Sequence, residues 1–136
     1  MSIKRQHVFS GSIYEEMAGY ARAVIVGDHV YVSGTVGVDF ETGRMPDAAA
    51  DQTTLAVNTI EKALNDAGSG LQDIVRLRVF VPDAGDVMAV SSVLKSRIGF
   101  TYPANTTVCA PLAVEGARVE VEAEAIIGSG TADTTP

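Results

Sequence analysis

Polar and apolar residues alternate without a break from Arg118 to Ala125. Arg118, Glu120, Glu122 and Glu124 fall on one side, and Val119, Val121, Ala123 and Ala125 on the other. A period of two predicts a half-buried strand, carried on to residue 127. The same period predicts strands over residues 3–9, 20–26 and 29–33, the last two joined as a hairpin at Gly27-Asp28 and ended at Ser33-Gly34. Over residues 74–81, Val75, Leu77, Val79 and Val81 share one side and Arg76 and Arg78 the other. Residues 105–112 make the sixth strand, before a turn at Glu115-Gly116. Residues 10–18 and 39–46 carry no period and read as a surface loop and a turn.

A different period marks the helices. Within residues 48–67, Ala56, Ile60, Ala63, Leu64 and Ala67 recur at three- and four-residue spacing, with Glu61, Lys62 and Asp66 off the stripe and Gly68 as the C-terminal glycine. A second helix, capped by Asp86 and closed by Gly99, runs to residue 98 with Val87, Val90, Leu94 and Ile98 inward. The order is βββ-α-β-α-ββ: an α+β fold with a six-stranded mixed sheet and both helices on one face. Several strands carry apolar residues on both sides, so the uncovered face would expose a large patch. Such patches mark association surfaces, and a homo-oligomer that pools its sheets is expected. Residues 1–127 read as a single domain and residues 128–136 as a flexible tail.

With 136 residues, 46% of them apolar, the chain is long enough to bury a core. Its net charge of −7 disfavours nucleic-acid partners, which need a basic surface to displace counterions. No stretch is apolar enough to span a bilayer or to act as a secretory signal, so a cytoplasmic protein is expected and the Asn105-Thr106-Thr107 sequon is not read as glycosylated. Cys109 is the lone cysteine and His7 and His29 lie in different segments, which gives no disulfide and no metal set. Cys109 has no histidine near it in sequence and reads as a small buried apolar residue. Three carboxylates in a row along the last strand have two readings. Either they form a solvated or salt-bridged outer face, or one of them sits in a cleft and does proton chemistry.

Four segments in order carry a resemblance: G-Y-A-R-A-V-I-V-G-D-H-V-Y-V-S-G (residues 19–34), the helix ending A-L-N-D-A-G, D-I-V-R-L-R-V-F-V-P-D (residues 73–83), and Y-P-A-N-T-T-V followed by V-E-V-E-A. Together they resemble the RidA/YjgF family over residues 19–127. The resemblance implies a chorismate-mutase-like fold and a homotrimer whose sheets form a central barrel, with clefts between subunits. The implied activity is hydrolysis of reactive enamines and imines to carbonyl compounds and ammonia, with no metal or organic cofactor. By motif position the implied cleft residues are Tyr20, Ser33, the backbone N–H of Gly34, Ser91, Asn105 with Thr106, and Glu120 as the proton-transfer residue.

The chain departs from that family's deaminase motif at one place that matters. Where the motif has an arginine to clamp a carboxylate, Asn105 stands here, and Ser91 stands where the family has asparagine. An amide has neither the charge nor the two-pronged geometry of guanidinium. Its loss is expected to weaken binding of a small imino acid by about 2–3 kcal/mol, roughly 30- to 150-fold. Arg22 and Arg118 lie two residues from Tyr20 and Glu120. Arg22 is either a rim residue or a substitute anion contact, and Arg118 either neutralises the glutamate row or serves the cleft. A non-catalytic trimer that binds a small metabolite is the alternative function, and RNA cleavage ranks third.

Overall fold

The computed structural model describes residues 3–131. They build one six-stranded sheet in the order β1-β2-β3-β6-β4-β5, from β1 (Arg5–Val8), β2 (Ala23–Val26), β3 (His29–Val36), β4 (Ile74–Val81), β5 (Ala104–Cys109) and β6 (Glu120–Ile126). Three α-helices join them: α1 (Ile13–Ala18), α2 (Ala49–Asp66) and α3 (Val87–Ile98). Neighbouring strands are antiparallel except β4 and β5, which run parallel with α3 as their crossover. The sheet is mixed and the class is α+β.

The apolar stripes of α2 and α3 meet one face of the sheet. Val57, Ile60 and Leu64 of α2 and Val90 and Ile98 of α3 are buried with Val30, Val79 and Val121 of the strands and with Val119 just before β6. Fully burying each large side chain is worth about 1.5–3 kcal/mol, so alternation along β6 settles which face turns inward. Gln52, fully buried on α2, ties this layer to the approach to β6. Its amide donates to Pro46 O at 2.8 Å and Gly116 O at 3.1 Å, and its Oε1 accepts from the Arg118 N–H at 2.7 Å.

The glutamate row lies on the other face, and its counter-ion is Arg78. The guanidinium of Arg78 on β4 reaches Glu122 and Glu124, each at 3.2 Å. Arg118 does not serve the row: it grips both oxygens of Asp86 at 2.9–3.0 Å and the Asp47 carbonyl at 3.0 Å. Asp86 therefore makes no capping bond to α3, contrary to the sequence expectation.

Other departures share a local cause. Residues 10–18 are not all loop, because residues 13–18 form α1. β3 does not end at Ser33-Gly34 but continues to Val36 through a register shift between Val32 and Thr35. A second shift, between Ile74 and Arg76, gives Ile74 the buried place expected of Val75, which is exposed. Gly99 keeps right-handed helical angles, and the turn out of α3 closes at Tyr102, a non-glycine residue at φ 49°. Cys109 is exposed rather than buried, since β5 is the last strand of the sheet and every residue of it is exposed. Past β6 the chain is clasped: the buried Asp73 carboxylate accepts from Ser69 Oγ at 2.6 Å, Gly130 N at 2.8 Å and Gly128 N at 3.1 Å. Of the expected tail, residues 132–136 lie outside the described residues.

Candidate functional site

A six-residue helix is too short to hold itself in water. α1 starts where Ser12 Oγ accepts the Tyr14 N–H at 3.2 Å and stops at Gly19, whose φ of 74° favours glycine. Glu15 fastens it to the sheet. Its buried carboxylate accepts from the Ser10 N–H at 2.9 Å, the Ser10 hydroxyl and Arg22 Nε at 3.0 Å. Burial pushes the Glu15 carboxyl up, but the two Ser10 donors and Arg22 outweigh it and hold it below the usual range.

Arg22 carries that anchor onward to β3. It is buried, not at the rim, and Nη1 donates to Gly34 O at 2.7 Å and Thr35 Oγ1 at 3.0 Å. Its guanidinium also lies 5.6 Å from the centre of the Tyr20 ring, within reach of a cation–π attraction. These contacts hold the β3 irregularity that sets Gly34 against Glu120. A β-carbon at position 34 would stand 2.9 Å from Glu120 Cδ and 3.1 Å from Oε2, so glycine is what lets the carboxylate occupy this place.

Tyr20, Arg22, Gly34 and Glu120 line one cavity of about 540 Å³, walled by apolar residues that include Tyr14 and Met17 of α1. Burial, and after it the like charge of Glu122, push the Glu120 carboxyl up from its ordinary value, while Arg22 pulls the other way. A carboxyl raised in this manner is better suited to taking and returning a proton than a solvated glutamate is.

The remaining expected site residues lie elsewhere. Ser33 donates its hydroxyl to Ala21 O at 2.7 Å. Ser91 and Asn105 line a second cavity of about 540 Å³ between α3 and β5, where Asn105 Nδ2 donates to Thr107 Oγ1 at 3.0 Å. Asn105 pairs with Leu77 and so faces the helix side of the sheet, opposite to Glu120. Thr106 pairs with Arg78 on the glutamate side and lines neither cavity. One chain thus brings together four of the eight expected residues, and a pair of the others on the reverse face. Glu15 was missed, although Ser12-Ile13-Tyr14-Glu15 has the S-x-x-E spacing of a helix start. Among the described residues no three His, Cys, Asp or Glu are grouped to hold a metal ion, and no helix is long and apolar enough to cross a membrane.

The profile of the family described as Endoribonuclease L-PSP matches residues 12–127. A 2-iminobutanoate/2-iminopropanoate deaminase of Capra hircus is 28% identical over 93% of each chain. A RutC family protein, UK114, of Drosophila melanogaster is 30% identical over 94% of each. Among solved structures, a member of the YjgF/YER057c/UK114 family from Mycobacterium tuberculosis has a TM-score of 0.83 and 38% identity, covering 91% of this chain and all of that one.

Proposed function

The chain belongs to the RidA/YjgF family, whose profile bears the description Endoribonuclease L-PSP, and from that premise we propose that it hydrolyses a reactive imine or enamine. The single observation that carries the reading is the Glu120 carboxylate, raised in pKa in an apolar cavity and seated against the Gly34 backbone. In the proposed reaction Glu120 takes a proton from water as the water oxygen bonds to the iminium carbon. The proton passes to nitrogen, the C–N bond breaks and ammonia leaves. Glu120 then takes the remaining oxygen-bound proton, which leaves a carbonyl compound, and passes it to the departing ammonia, so that the carboxylate is restored. Water and a protonated imine go in; a carbonyl compound and ammonium come out. Tyr20 and the Gly34 N–H orient the substrate, and Arg22, bound to Glu15, Gly34 and Thr35, holds those two in place.

We read the working site as a cleft between copies in a homotrimer. The reading is supported by the split of the expected residues: Ser91 and Asn105 lie on the opposite sheet face from Glu120, so one copy cannot set both groups on one small ligand. Thr106 and Ser33 enter this reading as backbone and hydroxyl support on the strands that frame the cleft. The RNA-cleavage reading meets a net charge of −7.

A trapping assay tests the proposal. Several 2-imino acids are generated in place by an amino-acid oxidase, and semicarbazide capture is followed with and without protein. Slower capture that is lost in Glu120→Gln is the expected result. No effect on any imine, with a metabolite still bound, would replace the deaminase by a binding protein.

A further inference from the structure

A third cavity, of about 480 Å³, lies between α2, the end of β1 and the turn at residues 38–41. Arg22, Val38 and Phe40 line it and the Glu120 cavity alike, so the two share a wall. Its polar groups are sorted by element. On α2, Leu55, Asn58, Thr59, Lys62 and Asp66 recur at three- and four-residue spacing and turn one stripe to the cavity. That stripe offers donors. Arg97 Nη1 donates to Asn58 Oδ1 at 2.9 Å, which leaves the Asn58 amide nitrogen for another partner. Thr53 and Thr54 return their hydroxyls to the Ala49 and Ala50 carbonyls at 2.7 and 3.2 Å, but the Thr59 hydroxyl makes no bond among the described residues. Lys62 gives one of its donors to Asp66, at 3.0 Å, and keeps the rest. Arg22, 4% exposed, bonds through Nε and Nη1, while its Nη2 makes no hydrogen bond among the described residues. The turn brings acceptors instead. Asp39 spends Oδ1 on the Glu41 N–H at 2.9 Å and keeps Oδ2, and the Glu41 carboxylate is unpaired among the described residues. Val8, Leu55 and Ala63 supply apolar surface, and the exposed rings of Phe9 and Phe40 complete the lining.

We propose that this cavity is a second ligand site, which binds a free α-amino acid with an apolar side chain. Asn58, Thr59, Lys62 and Arg22 take the carboxylate, and Asp39 and Glu41 take the ammonium. The apolar lining and the two phenyl rings take the side chain, and the rings also favour a cation beside them. A zwitterion answers both sets at once. An amine alone would leave the donors unanswered, and an acid alone would face two carboxylates. The volume is in the range of small-molecule sites. The site does not rest on the deaminase reading.

The test is calorimetric titration with L-leucine and two analogues: 4-methylpentanoate, which lacks the ammonium, and 3-methylbutylamine, which lacks the carboxylate. Wild type, Glu41→Gln and Glu120→Gln are compared, with folding checked by thermal melt; Glu41 is exposed, so its replacement leaves the core untouched. Wild type binds leucine, and binds each analogue weaker by roughly tenfold or more, the order expected for one charged hydrogen bond. Glu41→Gln weakens leucine roughly tenfold for the same reason. Glu120→Gln leaves leucine binding unchanged, which separates this site from the cavity on the other side of Arg22. No binding of leucine by wild type, an analogue that binds as well as leucine, or unchanged leucine affinity in Glu41→Gln each overturns the site. Leucine binding lost in Glu120→Gln but kept in Glu41→Gln puts the ligand in the Glu120 cavity and overturns it too. Leucine bound through Glu41 by a protein that turns over no imine sinks the deaminase reading and leaves this site standing.

Discussion

Glu15→Ala removes one half of the buried pair that fastens α1 to β2 and β3. The side chains of Arg22 and Glu15 are 5% and 3% exposed, so neither ion is rescued by water. Deleting the carboxylate leaves a buried guanidinium without its counter-ion and the Ser10 N–H without its acceptor. Breaking a buried pair in this way costs about 3–5 kcal/mol. That is a large part of the roughly 5–15 kcal/mol that holds a domain together. The melting temperature should fall by about 10–25 °C, at some 3–5 °C per kcal/mol for a chain of this size. Guanidinium titration at fixed protomer concentration checks it: the midpoint drops while the slope holds. The pH dependence has a fixed sign. Because the folded Glu15 carboxyl lies below its ordinary 4.5, its stabilisation is present above that value and is lost as pH falls through the folded pKa. The gap between wild type and Glu15→Gln should therefore close in acid. A midpoint shift below about 0.5 kcal/mol at neutral pH, the range of ordinary surface changes, would refute the anchoring role.

Gly34→Ala should fold, since the atom it meets is the end of a flexible side chain, but the displaced Glu120 carboxylate should cost at least tenfold in the trapping assay, about 1.4 kcal/mol of transition-state stabilisation. Glu120→Gln should remove turnover yet stabilise the fold at neutral pH. The raised carboxyl favours folding only below its ordinary 4.5 and loses that advantage as pH rises through the folded pKa, so melts of the two proteins should converge in acid.

What the chain declares of itself depends on range. The β2–β3 hairpin, the α2 stripe and the alternation of β6 are local patterns, and each element sits where its period puts it. Register shifts are not local: Val75 loses its place to Ile74 only because β4 meets β6 out of step there. Partner choice is no more local. Nothing near Arg118 names Asp86, and nothing near the glutamate row names Arg78. At the site, Glu120 was legible from strand parity and motif, and Gly34 from its neighbours. Arg22 was singled out but misplaced, because its burial follows from Glu15 on a helix too short to give a periodic signal.

The strand order has a consequence for how the molecule comes to exist. β6 is the final strand of the chain, yet it lies between β3 and β4. Until residues 120–126 arrive, a nascent chain holds two separate pieces, a three-stranded meander and a β4–α3–β5 unit, each with a bare hydrogen-bonding edge. Closing both seams joins segments far apart in sequence, so the loop entropy is met in one late step and folding should be slow for the chain's length. In that interval the open edges of β3 and β4 are templates for any other extended chain. Synthesis stopped short of Glu120 would yield two halves with no keystone, and such fragments should aggregate rather than accumulate as a smaller folded protein.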